Sequence, residues 1–173
     1  EIETDYAECA IKKDSGDDPD VTNGILVYAR VEKIPSGIII DGGKGVGRIT
    51  KSGLDRKIGE AAINTVPRRM IENAVTEMAE KYGYDGGFRI IISVPEGEMI
   101  AAKTYNPRLG IEGGISIIGT SGIVEPMSNK AVIETIRTEE SMLKAQGRKN
   151  LLITIGNYSG TFLKEYLPEL DKT

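Results

Sequence analysis

Three isoleucines, Ile38 to Ile40, run directly into Asp41-Gly42-Gly43-Lys44-Gly45-Val46-Gly47-Arg48. An apolar run of this kind reads as a short buried strand. Four glycines in the six positions from Gly42 to Gly47 then allow a sharp turn and an approach that any Cβ would obstruct. Lys44 and Arg48 bring two cations to the loop, and Asp41 sets a carboxylate at its mouth. Two readings fit. One is a ligand-contacting loop at a strand end, with Gly42, Gly43, Lys44, Gly45 and Arg48 as its contacts. The other is a glycine-rich hairpin with solvated charges. The dinucleotide fingerprint is absent, because Arg48 stands where its third glycine belongs. The P-loop is absent too, because Ile38 and Gly45 stand where it needs a glycine and a Ser or Thr.

The rest of the chain alternates strand and helix patterns. Tyr6 to Lys12 reads as a strand, and Ile25, Val27, Ala29 and Val31 alternate with Leu26, Tyr28, Arg30 and Glu32 in a second. Pro35-Ser36-Gly37 is expected to turn that strand back into the glycine-loop strand as a hairpin. Lys51 to Thr65 shows no strong period. Pro67 to Tyr82 is a helix: Met70, Ile71, Ala74, Val75, Met78, Ala79 and Tyr82 form one apolar stripe, Pro67 suits the first turn and Gly83 the stop. Its methionines are expected in the core. Arg68 and Arg69 lie in the first turn, where the dipole disfavours cations and an arginine often faces an anion.

Phe88 to Val94 is a further strand, and Glu98 to Thr104 a short helix. Ser128 is expected to cap a helix from Asn129 to about Gln146, with Val132, Ile133, Ile136 and Leu143 inward. Leu151 to Ile155, the turn from Gly156 to Gly160 and a helix through Leu167 read as the opening of an α/β unit. These patterns fall into two parts, strands and helices over residues 1–126 and the opening of an α/β unit over 127–173. The composition shift near Pro126 marks the boundary.

Residue types bound the chemistry. The chain has no histidine, so it supplies no Ser-His-Asp or Cys-His pair and no histidine-based zinc site. Its one cysteine, Cys9, excludes an internal disulfide, fits a reducing cytoplasm and is expected as a half-buried thiol. No apolar run reaches membrane-spanning length. The net charge of −4 is too mild to suggest a nucleic-acid partner. What remains is chemistry done by carboxylates, cations, Tyr, backbone groups or a bound cofactor, on a reagent that arrives already activated.

Charge is unevenly spread. Glu1 to Gly24 holds eight acids against Lys12 and Lys13, whereas Lys44 to Arg69 holds seven bases against Asp55 and Glu60. The basic middle suits a small polyanion. Lys13-Asp14-Ser15-Gly16-Asp17-Asp18-Pro19-Asp20 is an acidic turn, and no EF-hand, since Pro19 and Ile25 replace its glycine and glutamate. Its crowded carboxylates can raise one pKa and move a proton, or form an exposed acidic loop. Arg108, in Asn106-Pro107-Arg108-Leu109-Gly110, can grip a carboxylate in two-pronged fashion. Gly119-Thr120-Ser121-Gly122 offers N–H groups and two hydroxyls for an anion or amide.

Three segments taken together resemble one family. They are Cys9 to Thr22 with its acidic turn, the glycine loop with Gly59-Glu60-Ala61-Ala62-Ile63-Asn64, and Asn106 through Glu125-Pro126-Met127. The chain resembles the CbiD family, the cobalt-precorrin-5B C1-methyltransferases of anaerobic cobalamin biosynthesis, over nearly its whole length. The resemblance implies methyl transfer from S-adenosylmethionine to C1 of a cobalt tetrapyrrole bearing acetate and propionate arms. The expected enzyme is cytoplasmic, holds no metal of its own, has no membrane or nucleic-acid partner and is able to form a homo-oligomer. The resemblance also implies an N-terminal α+β domain, a mixed sheet packed with helices over residues 1–126, then the beginning of an α/β domain with a parallel sheet over 127–173. It implies further segments on either side, so this chain resembles the middle of a longer enzyme. On that basis Gly42, Gly43, Lys44, Gly45, Arg48, Asn106 and Arg108 are expected to hold the substrate. Asp14, Asp17 and Asp18 are expected at the reacting centre, and Gly119, Thr120, Ser121, Gly122, Gly156 and Asn157 at the donor. A phosphate- or nucleotide-binding enzyme, and a non-catalytic scaffold whose glycines are structural, are the alternatives.

Overall fold

The computed structural model describes residues 6–18, 20–119, 129–150 and 158–166. Along the chain these form β1 (Tyr6–Lys12), β2 (Leu26–Ile34), β3 (Ile38–Gly42), β4 (Gly45–Val46), β5 (Arg48–Ile49) and α1 (Thr65–Tyr82). Then come β6 (Gly87–Ser93), α2 (Gly97–Ala101), β7 (Ile111–Glu112), β8 (Gly114–Ile115), α3 (Asn129–Ala145) and α4 (Tyr158–Tyr166). The main sheet has the order β1-β2-β6-β3, antiparallel except for the parallel pair β3 and β6. Two short ladders, parallel β4–β8 and antiparallel β5–β7, follow from the glycine loop. The fold is α+β, as expected.

Period-2 alternation sorts the sheet into two faces. On one, Ile40, Ile90 and Ile92 are buried, with Val27, Ala29, Val31 and Phe88 packed beside them and Ile71 and Val75 of α1 laid against the cluster. On the other, Arg30 bonds Glu8 (3.0 Å) and lies 4.0 Å over the Tyr6 ring, while Arg89 reaches Glu32 (3.6 Å). One face makes the core and the other meets water, the usual division for a largely antiparallel sheet.

Five expectations are corrected. β2 and β3 are not a hairpin: β6 runs between them and pairs with both. Parallel pairing of β3 with β6, with α1 as the crossover, sets Ile40 beside Ile90 in the core. Ile38 and Ile39 are 39% and 48% exposed because β3 is an outer strand, so the isoleucine run is buried only at Ile40. Cys9 is exposed because every residue of β1, an outer strand, is exposed. Met70 and Met78 are 42% and 47% exposed, since the narrow inward stripe of α1 is carried by Ile71 and Val75. In α3, Val132, Ile133 and Ile136 are exposed and Leu143 is half-buried; among the described side chains the buried one is Met142, whose backbone lies on Gly53. The strand at Leu151–Ile155, the boundary at Pro126 and the Ser128 cap lie outside the described residues.

Candidate functional site

Register brings the acidic and glycine loops to the same end of the sheet. Lys12 faces Leu26, Tyr28 faces Ser93, and Gly42 faces Ile92. β1 therefore ends, β2 begins, and β3 and β6 end at one pole. The acidic loop leaves there between β1 and β2, and the glycine loop leaves β3 two strand spacings away, about 10 Å. An open cavity of about 360 Å³, lined by Ile38, Ala79, Glu80, Tyr84 and Phe88 among others, lies at the opposite pole. Seven residues of β6 separate the poles, roughly 20 Å. The cavity is far from both motif-bearing loops.

The acidic loop is tied by its own side chains. The Lys13 N–H donates to the Ile25 carbonyl (2.8 Å) and the Gly24 N–H to the Lys13 carbonyl (2.8 Å). With Gly24 at φ +80°, this is a glycine bulge that closes the loop. Inside, the Lys13 ammonium donates to both the Asp20 carboxylate and the Thr22 hydroxyl. Asp20 also accepts the Thr22 N–H (2.8 Å) and hydroxyl (2.7 Å), and Asn23 Oδ1 accepts the Ser15 N–H (3.0 Å). Burial pushes the Asp20 carboxyl upward, but the Lys13 and Thr22 donors outweigh it and hold the group below its ordinary pKa. Asp14 accepts the Gly16 N–H (2.9 Å) and stays exposed. Asp17, exposed, and Asp18, half-buried, have no side-chain partner among the described residues. Asp20 thus carries the architecture and leaves Asp14 and Asp17 exposed and Asp18 half-buried.

The glycine loop is tied by backbone lying on backbone. Gly45 has φ +74°, and a Cβ there would overlap the Val94 carbonyl oxygen and stand 3.0 Å from the Gly97 nitrogen. A Cβ on Gly97 or on Gly114 would in turn overlap the Gly45 carbonyl. Three chain segments cross at one point because none of the three residues has a side chain. The loop's amides are also engaged: Gly42 N–H to the Asp41 carboxylate (2.8 Å), Gly43 to Ile92 (2.8 Å), Val46 to Gly43 (3.2 Å) and Gly47 to Ile115 (2.8 Å). These N–H groups are spent inside the protein, so they form no phosphate cradle.

The cations of the loop divide into two kinds. Arg48 donates to both oxygens of Asp41 (2.6 and 3.1 Å) and to the Gly42 carbonyl (2.8 Å). The Arg48 hydrogen bonds, more than any other influence, hold the Asp41 carboxyl below its ordinary pKa, with burial opposing. Arg68 donates to the Ile63 and Ile40 carbonyls (2.9 and 2.7 Å), so it meets backbone oxygens rather than an anion. Lys44 is exposed and its ammonium has no partner among the described residues.

The remaining expected contacts are more scattered. Asn106 is buried, its Oδ1 accepting the Ser116 hydroxyl (3.2 Å) and its carbonyl the Ile111 N–H (2.9 Å). Arg108 is exposed, 5.8 Å over the Tyr105 ring, with its carbonyl accepting from Lys51 (3.1 Å). Gly119 is half-buried; Thr120, Ser121, Gly122, Gly156 and Asn157 lie outside the described residues. Sequence reasoning missed Lys13, Asp20 and Thr22 as a clamp, and Gly97 and Gly114 as partners of Gly45. A lysine followed by an acid and a threonine across one turn was the available signal for the first. Isolated glycines after turn residues were the signal for the second.

Comparison with known proteins gives a consistent answer. The CbiD family profile matches residues 1–126. A cobalt-precorrin-5B C(1)-methyltransferase of Ruminiclostridium cellulolyticum is 57% identical over 165 residues, covering 95% of this chain and 43% of its own length. One from Picrophilus torridus is 55% identical over 128 residues, or 74% of this chain and 38% of the relative. A 1.9 Å crystal structure of a cobalamin biosynthesis protein (cbiD) from Archaeoglobus fulgidus is 36% identical. It has a TM-score of 0.53 and covers 95% of this chain and 51% of that one. The chain spans less than half the length of these curated relatives.

Proposed function

The chain belongs to the CbiD family, and from that premise we propose that it forms part of an S-adenosylmethionine-dependent methyltransferase. The reaction is methylation of C1 of cobalt-precorrin-5B, giving cobalt-precorrin-6A in cobalamin biosynthesis. The observation that carries the reading is 57% identity to a protein of that name over 95% of the chain. The sheet supports it physically: Lys44, a cation without a partner among the described residues, and the carboxylates Asp14, Asp17 and Asp18 stand at one pole.

A flat substrate with several carboxylate arms needs cations to fix its orientation, and Lys44 is available for that. Arg108 is the second candidate, whereas Arg48 acts through Asp41 and holds the loop. Gly42, Gly43 and Gly45 serve by letting the loop pack rather than by touching the substrate through their amides. Asn106 shapes the turn that presents Arg108. The donor supplies a methyl group with its leaving group already attached, so the protein's task is alignment, worth about 7–11 kcal/mol of barrier. Asp17 and Asp18 are unpaired carboxylates of the right sign for a cationic donor or for a proton shed by the ring. The engaged glycine loop offers its adenosine no cradle; we assign that part to Gly119, Thr120, Ser121, Gly122, Gly156 and Asn157. The same proposal divides the chain near Pro126, and the family match over residues 1–126 supports the division.

A chimera tests this: the R. cellulolyticum relative with its matching 165 residues replaced by this chain. It should transfer labelled methyl from S-adenosylmethionine to cobalt-precorrin-5B. A folded chimera with no transfer would overturn the assignment.

A further inference from the structure

The main sheet has two outer strands, and their free edges differ. Along β3, the ladder with β6 uses the Gly37 carbonyl and the Gly43 N–H, so the groups of Ile38, Ile40 and Gly42 point outward. Side chains blunt that edge: Arg68 donates to the Ile40 carbonyl (2.7 Å), Asp41 accepts from the Gly42 N–H (2.8 Å) and Arg48 donates to the Gly42 carbonyl (2.8 Å).

Among the described residues, no side-chain hydrogen bond comparable to these guards β1. Counting back from the closing bond of Lys13 to Ile25, the residues that exchange bonds with β2 are Ile11, Cys9 and Ala7, opposite Val27, Ala29 and Val31. The N–H and C=O groups of Glu8, Ala10 and Lys12 therefore point away from the sheet. Every residue of β1 is exposed, and the strand holds neither a proline nor an internal bulge. On the helix-covered face, Ala7, Cys9 and Ile11 continue the row of Val27, Ala29 and Val31, yet Ile11 is 71% exposed. An unguarded edge with an apolar border is a template for one more strand.

We propose that the free edge of β1 pairs with a strand from the part of the family's polypeptide that has no counterpart in this chain. That strand places apolar residues beside Ala7, Cys9 and Ile11 and polar ones beside Tyr6, Glu8 and Lys12, extending the existing core by one row. The polypeptide to supply it exists, since this chain covers 43% of the R. cellulolyticum relative and 51% of the A. fulgidus chain. A second copy is the poorer occupant. Self-pairing about Cys9 would set Ile11 only against Ala7 of the other copy, which leaves most of that exposed side chain uncovered. The inference rests on family membership and not on the reaction.

Hydrogen exchange read by NMR or mass spectrometry tests it on two proteins, this chain and the full-length R. cellulolyticum relative. The amides of Glu8, Ala10 and Lys12 should exchange near the intrinsic rate here. At the aligned positions of the longer protein they should be slower by on the order of 100-fold. The Cys9 and Ile11 amides, bonded to β2, should be slow in both and report that the sheet is intact. Equally fast exchange at the aligned positions of the longer protein would overturn the proposal. So would slow exchange in this chain together with sedimentation as a dimer, which would identify a second copy as the occupant.

Discussion

In the acidic loop, Lys13, Asp20, Thr22 and Asn23 tie the chain to itself with side-chain hydrogen bonds. In the glycine loop, about 10 Å away, Gly45, Gly97 and Gly114 let three backbones touch with no side chain between them. The first device is polar, partly solvated and replaceable piece by piece. The second is steric and all-or-none. The difference shows how to read a glycine-rich stretch: glycines that meet other glycines across a core are packing residues, and their presence alone does not mark a ligand loop.

The contrast predicts a graded set of outcomes. Gly45→Ala should be the most damaging, costing more than about 4 kcal/mol, because the Val94 carbonyl cannot retreat without breaking the loop's other bonds. Thermal unfolding followed by circular dichroism would show no cooperative transition; a transition within a few degrees of the parent would refute the steric account. Asp20→Ala should cost about 1–2 kcal/mol, the lower part of the range for a donor left without its acceptor, because Lys13 and Thr22 are only half-buried. Urea titration would measure it.

Acid should weaken the polar device. Asp20 and Asp41 have folded pKa values below the ordinary 3.8. Their stabilisation is present above the unfolded pKa and is lost as pH falls through the lower folded value. Stability should therefore decline below about pH 4, and less steeply in Asp20→Asn. Equal acid slopes in the two proteins would break the link. The smallest effect on stability belongs to Asp17→Asn, within about 0.5 kcal/mol either way, as for exposed sites. In the chimera the same change should lower methyl transfer, separating function from folding.

Much of the fold was legible because local patterns decide it. The alternation from Val27 to Glu32, the stripe of α1 and the Gly83 stop all predict what forms. Pairing was less legible. Nothing between Ile34 and Ile38 says that β6 will enter there; that follows from matching two isoleucine runs far apart in the chain. Exposure of Met70, Met78 and Cys9 was equally hidden, since a stripe shows which side faces inward but not how much of it is covered. At the site, the residue types were readable and their division of labour was not. Arg48 and Lys44 carry the same charge, yet only the structure shows that Asp41 engages the first and leaves the second free.

Substrate is expected to meet this chain at the pole where the acidic and glycine loops leave the sheet. Hydrogen exchange in the chimera, with and without a cobalt tetrapyrrole bearing carboxylate arms, reads this directly. Exchange should slow only within Asp14–Gly24 and Gly43–Arg48, and Lys44→Glu should remove that protection. Protection around Gly83–Phe88, at the opposite pole and indifferent to Lys44→Glu, would contradict it.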